Sequence, residues 1–420
     1  MVEKKNILFL NATYSEKIKT LQTAKRLGLT VSVVGPDLPE WSKPYVDHYI
    51  KANTYDIDET LDKVKKANKE IPFDGVITFW DRDVVPVAVV AKELNLKGSP
   101  IEAAEGARNK GKMREVLKKH NVPHPKFTKF HNFDELYDTS IDMEYPLIVK
   151  PVGASASKGV FKINSPDELY DIYGLLISST SVEKDKMFTF YKNEYLVEEF
   201  MEGNEVSVEG VVSDGNVYFA GITEKWTDEF FNEPQFAFPA RVSNEIESDI
   251  LDVTRRGIKA LGLDNCGFHA ELMITESGSK IVEINGRLGG GGITTDLVPI
   301  ASGIDITAVN LLVTLGERFD FTPKKNKGSC AKTLMAKQSG VVDHWEGVEE
   351  IRDMPGVVDF IFLKNPGDSV GMPPEVFNDC YLGYVITEGE DTDKAIEYAE
   401  NALAEVKCVF EEEKVSIFGK

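Results

Sequence analysis

The sequence predicts an α/β protein with an open parallel sheet at its N-terminal end and an α+β tail at its C-terminal end. Three observations carry this reading. Residues 6–34 run as apolar strand, helical pattern and apolar strand. Residues 267–285 form two alternating runs on either side of Glu276-Ser277-Gly278-Ser279, the pattern of a β-hairpin. Beyond residue 325, three apolar strand segments precede one amphipathic helix.

At the N-terminal end, Asn6-Ile-Leu-Phe-Leu-Asn11 is a short apolar run ending in small polar residues. Ile18 to Leu27 is helical in pattern, and Gly28 is placed to cap it. Leu29 to Val34 is a second strand, followed by Gly35-Pro36-Asp37. This is the βαβ start of an open parallel sheet. Asn11-Ala-Thr-Tyr-Ser stands where a dinucleotide fingerprint needs glycines, so there is no obvious NAD site. Asp74 to Trp80 reads as another buried strand, and Val84 to Leu94 as a helix whose start Pro86 limits. The first domain is placed at residues 1–100.

Residues 101–125 read as a helical segment with the basic stretch Ala107-Arg-Asn-Lys110-Gly-Lys112-Met-Arg114, ended by Val122-Pro123. Tyr145 to Pro151 is a strand closing on Lys150, and it runs into Val152-Gly-Ala-Ser155-Ala-Ser157-Lys158-Gly159. A loop of Gly, Ser and Ala offers backbone N–H groups to phosphate oxygens, and equally serves as a plain flexible hairpin loop. It is not a Walker A loop, which needs Gly-Lys-Ser/Thr opening a helix. Tyr195-Leu-Val-Glu198-Glu199-Phe200-Met201-Glu-Gly203-Asn-Glu205 is a strand, an acidic connector and the start of the next strand. Such a connector either exposes backbone groups to an adenine ring or is simply a charged turn.

The hairpin carries the densest chemistry. Phe268, Ala270, Leu272 and Ile274 alternate with His269, Glu271 and Met273, while Val282 and Ile284 alternate with Glu283 and Asn285. With Glu271 opposite Glu283, facing Cβ atoms stand about 4.5–5.5 Å apart and the like charges repel. A hard cation between them resolves this, because Mg²⁺ takes oxygen ligands and completes its octahedron with waters and phosphates. Arg287 follows on the same parity, able to neutralise a phosphate or carboxylate. Gly289 to Gly292 cannot strengthen a strand, but they let the backbone approach a ligand. His269 is either a hydrogen-bond donor behind Glu271 or a packed neutral histidine.

Downstream, residues 300–320 look helical, and Pro323 with the Lys-rich run to Gly328 marks a boundary. The tail strands are Ala331 to Lys337, Val357 to Leu363 and Tyr381 to Thr387, and the helix runs from Asp393 to Val406. Trp226, Phe230, Phe231, Phe236 and Phe238 are either core or the wall of a pocket for an apolar side chain. Arg241 is either a surface residue or a carboxylate ligand.

Composition bounds the function. The 420 residues suffice for two to four domains, placed at 1–100, 101–200, 201–325 and 326–420. A net charge of -21 argues against nonspecific binding to nucleic acid or an anionic membrane, so an anionic substrate needs a locally basic pocket. The four scattered cysteines suit a reducing compartment, not a disulfide framework or zinc site, and Cys266 reads as a small core residue. No run is apolar enough to span a bilayer, and a soluble cytoplasmic protein is expected.

A Lys after a helix-opening Asn, the Val-Lys-Pro strand with its Gly/Ser loop, the Glu-Glu-Phe-Met-Glu-Gly-x-Glu connector and the Glu…Glu-x-Asn-x-Arg hairpin occur in one order. In that order they resemble the ATP-grasp superfamily over about residues 1–320. The resemblance implies that Lys110 and Lys150 are the two ATP-phosphate lysines, Lys112 being the competitor that spacing disfavours. It makes the loop from Ser155 through Ser157 and Lys158 to Gly159 the phosphate lid. Glu198, Glu199 and Met201 become the adenine connector, and Glu205 the ribose acceptor. Glu271, Glu283 and Asn285 become the metal ligands, Arg287 the arginine at the transferred phosphoryl group, and Lys225 a further phosphate contact. The glycine run and the tail resemble bacterial L-amino-acid ligases. That implies ATP-driven joining of two L-amino acids through an acyl-phosphate, with ADP and phosphate released. The implied cofactors are ATP and two Mg²⁺ ions, with Mn²⁺ as a substitute. The implied partners are small amino acids and a second copy in a homodimer, with no nucleic acid and no membrane. A ligase for a purine-pathway or other small metabolite, and a non-catalytic ATP-binding protein, are the alternatives. Retention of Glu271, Glu283, Asn285 and Arg287 argues for an enzyme.

Overall fold

The computed structural model describes residues 4–12, 14–373 and 376–411. Strands β1 (Asn6–Leu10), β2 (Thr30–Gly35), β3 (His48–Lys51) and β4 (Gly75–Ile77) form a parallel sheet in the order β3-β2-β1-β4. All of β1 is buried, as expected of a parallel strand covered on both faces. The helix Ile18–Arg26 ends as predicted, with Gly28 at φ +77. The strand expected over Asp74–Trp80 shortens to β4. Thr78 Oγ1 accepts from the Trp80 N–H, and the chain leaves the sheet for a single 3₁₀ turn, Asp81–Asp83. That turn delivers Asp81 to the central cavity.

The segment read as one helix over 101–125 is two, Ile101–Arg108 and Lys110–Lys119. Asn109 breaks it with extended backbone, and its side chain accepts from the Lys112 N–H, an N-cap that starts the second helix at Lys110. A second sheet follows, antiparallel, in the order β5-β8-β6-β7, from β5 (Phe127–Phe130), β6 (Leu147–Pro151), β7 (Phe161–Ile163) and β8 (Tyr195–Glu199). Phe130, Leu147, Val149, Leu176 and Val197 form its core. The predicted lid is the connection between β6 and β7.

The remaining strands are β9 (Asn204–Ser213), β10 (Asn216–Trp226), β11 (Gln235–Phe238), β12 (Cys266–Thr275), β13 (Gly278–Asn285), β14 (Gly328–Met335), β15 (Gly340–Glu346), β16 (Val357–Phe362), β17 (Ser369–Val370), β18 (Tyr381–Gly389) and β19 (Lys407–Phe410). Eight of them make one sheet, β13-β12-β9-β10-β11-β14-β18-β16. The β11–β14 pairing, from Gln235↔Lys332 to Phe238↔Ser329, carries that sheet across residue 325, so the central and C-terminal segments share backbone hydrogen bonds. In the tail the helix Thr392–Glu405 packs on β14 and β18. The short strands β15, β17 and β19 form a separate small sheet that hydrophobic periodicity did not signal.

The helix expected over 300–320 is also broken. Val298–Ser302 and Ile306–Thr314 are separated by Gly303, at φ +74, and by Asp305, whose side chain caps the Ala308 N–H. Among the described residues no single helix is long and apolar enough to cross a membrane. Cys266, Cys330, Cys380 and Cys408 are all free thiols, and burial pushes the Cys266 thiol up to about 11, away from nucleophile chemistry.

Candidate active site

A cavity of about 790 Å³ opens between the three main sheets. Its acidic wall is the predicted hairpin. Glu271 faces Glu283 and His269 faces Asn285 across β12 and β13. The register slips one step further on, where Leu272 faces Ile281 and leaves Val282 as an unpaired bulge. Val282 shares strand parity with Ile284, but the bulge turns it onto the cavity beside Glu283, while Ile281 and Ile284 are fully buried. Strand β9 adds its own polar face, since Met273, Glu271 and His269 stand opposite Glu205, Ser207 and Glu209.

Lys225 sits among three carboxylates of this wall. Its ammonium lies 2.6 Å from Glu205 and 2.8 Å from Glu271, and it also pairs with Glu233. Against burial, those charges raise its pKa well above the lysine range. Glu205 is pushed towards its neutral form. Burial, with Glu271 and Glu233 nearby and Lys225 opposing, raises it to about 7. Lys225 was expected on phosphate and Glu205 on ribose; here both are committed to each other. His269 is the charged donor of the two alternatives. It contacts Glu209 at 2.9 Å and Glu271 at 3.1 Å, and these raise it to about 9 against the cost of burial. It ties Glu271 to the buried Glu209 behind it.

The basic wall comes from the second sheet and the helix before it. Lys110 donates to the Ala154 carbonyl at 2.7 Å and pairs with Glu283 at 2.7 Å, bridging the lid to the hairpin. Lys150 pairs with Glu198 at 2.6 Å, and Arg114 reaches the same carboxylate at 2.6 Å. Against burial, Arg114 and then Lys150 hold Glu198 down to about 2. The Glu198 side chain therefore anchors two cations and is not free to contact a base. Glu199 pairs with Lys280 at 2.7 Å, and Met201 lines the cavity with it. Lys112 lies outside, paired with Glu105. In the lid, Ser155, Ser157 and Lys158 line the cavity. Lys158 pairs with Asp185 at 2.6 Å, and Asn378 of the C-terminal segment donates to the Ala156 carbonyl at 2.6 Å. Gly159 is not on the cavity wall; at φ +74 it turns against Thr180 and Pro151.

Arg287 forms a two-pronged pair with Asp81 of the first domain, both contacts 2.8 Å, and donates to the Leu288 carbonyl. Burial opposes ionisation of Asp81, yet Arg287 holds its pKa below the usual range. The glycine run is needed for space. A Cβ at Gly289 would come within 2.9 Å of both Glu209 and His269, and Gly291, at φ +57, would push one into Phe236. Lys17, at the start of the first helix, lines the cavity beside this run.

The aromatic stretch divides. Phe231 and Phe236 wall the cavity, Phe238 is core, and Phe230 is largely exposed. Arg241 does not face the cavity; it pairs with Glu224 and Asp393 on the surface. Sequence reading missed Lys17, Asp81, Arg114, Glu209 and Glu233. Two left a local signal. Arg114 is one helical turn from Lys110, and Glu209 shares strand parity with Glu205.

The acidic wall also fits a divalent cation. Glu271, Glu283 and Asn285 present oxygen donors from adjacent strands, a set that suits a hard ion. The carboxylates of Glu205, Glu233 and Glu271 likewise converge to within 4.8 Å. Lysines stand at both groups, Lys225 among those three and Lys110 at Glu283.

Matches to known families run along the chain. They are an ATP-grasp N-terminal domain over residues 21–98, an ATP-grasp domain over 143–296, and an L-amino acid ligase C-terminal domain 2 over 332–411. The chain belongs to the ATP-grasp ligases. Its C-terminal domain joins it to the L-amino acid ligase branch of that group. It is 24% identical to the alanine–anticapsin ligase of Bacillus subtilis (strain 168) over 60% of this chain and 56% of that protein. It is 22% identical to the L-arginine-specific L-amino acid ligase of Bacillus subtilis over 92% of this chain and 93% of that one. The L-amino acid ligase structure from Bacillus licheniformis aligns with a TM-score of 0.84 at 23% identity, covering 97% of this chain and 99% of that one, and shares the fold.

Proposed function

We propose that this protein joins two L-amino acids into a dipeptide at the expense of ATP, through an acyl-phosphate. The observation that carries the reading is convergence. Paired carboxylates from one hairpin, two lysines on the second sheet and its preceding helix, and an arginine held from the first domain all line one cavity. Phosphoryl transfer asks the protein mainly for positioning and charge neutralisation, which this set supplies.

In this reading Lys110, Lys150 and the lid residues Ser155, Ser157 and Lys158 bind the ATP phosphates. The backbone of Glu199 to Met201 takes the adenine. Glu271, Glu283 and Asn285 would hold two Mg²⁺ ions, with Mn²⁺ as a substitute, and metal held there would supply positive charge against that developing in the transition state. His269 keeps Glu271 ionised and oriented. Arg287 steadies the oxyanion of the first amino acid's carboxylate as it accepts the γ-phosphoryl group. The amine of the second amino acid then attacks the acyl carbon. The C–N bond forms, the C–O bond to phosphate breaks with its electron pair, and the leaving phosphate takes up the amine proton. Four free thiols fit work in the cytoplasm, and the family resemblance carries the expectation of a homodimer.

The test is product analysis with ATP, Mg²⁺ and pools of L-amino acids. Amino-acid-dependent ADP and phosphate, with a dipeptide by mass, is the expected result. AMP and pyrophosphate would show adenylation and overturn the acyl-phosphate route. ATP binding without turnover in every pool would remove the dipeptide claim.

A further inference from the structure

Cations that line the cavity are paired among the described residues, with one exception. Arg82, Lys110, Lys150, Lys158, Lys225, Arg287 and Lys364 each have a carboxylate within ion-pair distance. Among the described residues Lys17 has none. Its ammonium stands at the tetraglycine run, since a Cβ built on Gly290 would lie 3.8 Å from Nζ. It occupies the N-terminal end of the helix Ile18–Arg26, where the helix dipole is positive and disfavours a cation. Arg287 adds a like charge, and burial together with that charge pushes the Lys17 ammonium down to about 8. Glu16 and Asp81 attract it from beyond pairing distance. Among the described residues, then, Lys17 is a partly buried cation on the first-domain side of the cavity with no carboxylate within pairing distance.

We infer that Lys17 binds the α-carboxylate of the second amino acid, the one whose amine attacks. This rests on the dipeptide-ligase reading above. The other cationic side chains lining the cavity are accounted for by phosphates, metal ligands or structural pairs. The first amino acid brings a carboxylate that is consumed in the reaction. The second brings one that survives into the product and needs a permanent partner. In an α-amino acid the amine and carboxylate share one carbon. A carboxylate on Lys17 therefore places the amine beside Arg287, where the acyl-phosphate is held. Tyr14 and Trp80, packed edge to face at 5.5 Å, flank this corner and offer an aromatic surface to the second side chain.

The experiment compares nucleophiles with the full-length protein, ATP and Mg²⁺. Three are used with a fixed first amino acid: a free amino acid, its carboxamide, and hydroxylamine, which traps the acyl-phosphate without any carboxylate. The wild-type protein is expected to prefer the free amino acid over the amide by about ten- to a hundredfold in kcat/KM, the worth of a charge-assisted hydrogen bond. Lys17→Met is expected to erase that preference through KM for the free amino acid, while the hydroxamate rate changes less than about twofold. Lys17→Arg, which keeps the charge, is expected to restore most of the preference. A Lys17→Met protein that still prefers the free acid overturns the assignment. So does equal loss of hydroxamate and dipeptide, which would put Lys17 on the phosphoryl group. A wild-type protein yielding neither hydroxamate nor amino-acid-dependent ADP would overturn the ligase reading itself, and with it this one.

Discussion

Two lysines in one cavity have opposite surroundings. Lys225 is enclosed by Glu205, Glu233 and Glu271, whereas Lys17 meets Arg287, a helix N-terminus and no paired carboxylate. The protein satisfies the first charge itself and leaves the second unmet. A buried cation surrounded by its own acids is structural, because removing it strands those acids. A buried cation with no carboxylate within pairing distance is stabilised when an anion arrives. On this contrast the acidic wall is built to hold its geometry, and the tetraglycine side is built to receive a ligand.

The largest effect is expected at the acidic wall. Glu283→Ala should lower ATP turnover by on the order of a thousandfold while circular dichroism stays native, because the proposed metal ligand and the partner of Lys110 are lost together. Retained turnover in a folded variant would sink the metal assignment. Next comes stability. Lys225→Met should cost about 3–5 kcal/mol in denaturant unfolding, since three carboxylates lose their common cation. Lys17→Met should leave the unfolding midpoint unchanged or slightly raised. Equal losses in the two variants would erase the contrast between the walls. The smallest effect is in acid. Glu198 has a folded-state pKa of about 2, depressed below the ordinary glutamate value, so its stabilisation is full above about pH 4.5 and lost as pH falls through 2. The loss should reach at most about 3 kcal/mol. Arg114→Met should flatten stability over that range, and an unchanged acid profile would show that the pair with Arg114 does not set the Glu198 pKa.

The fold class and the hairpin were legible because their signals are local. Strand parity alone puts Glu271, Glu283 and Asn285 on one face, and the Asn before Lys110 announces a helix start whatever lies around it. The same rule misjudged Val282, since a bulge depends on the partner strand's register, which one strand's sequence does not contain. The continuous helix expected over 300–320 failed for a related reason, because Gly303 and Asp305 break it inside an apolar pattern.

By itself, then, the sequence determined the α/β class, the order of the nucleotide motifs and the identity of the acidic hairpin, all of which follow from periodicities of two and 3.6 residues. Only the tertiary structure decided which charges are spent and which are free. Asp81 reaches Arg287 across 206 positions of chain, and Lys17 comes to the tetraglycine run from the N-terminal segment. Ion pairing depends on separations of a few ångströms in space, and nothing in the spacing along the chain encodes them.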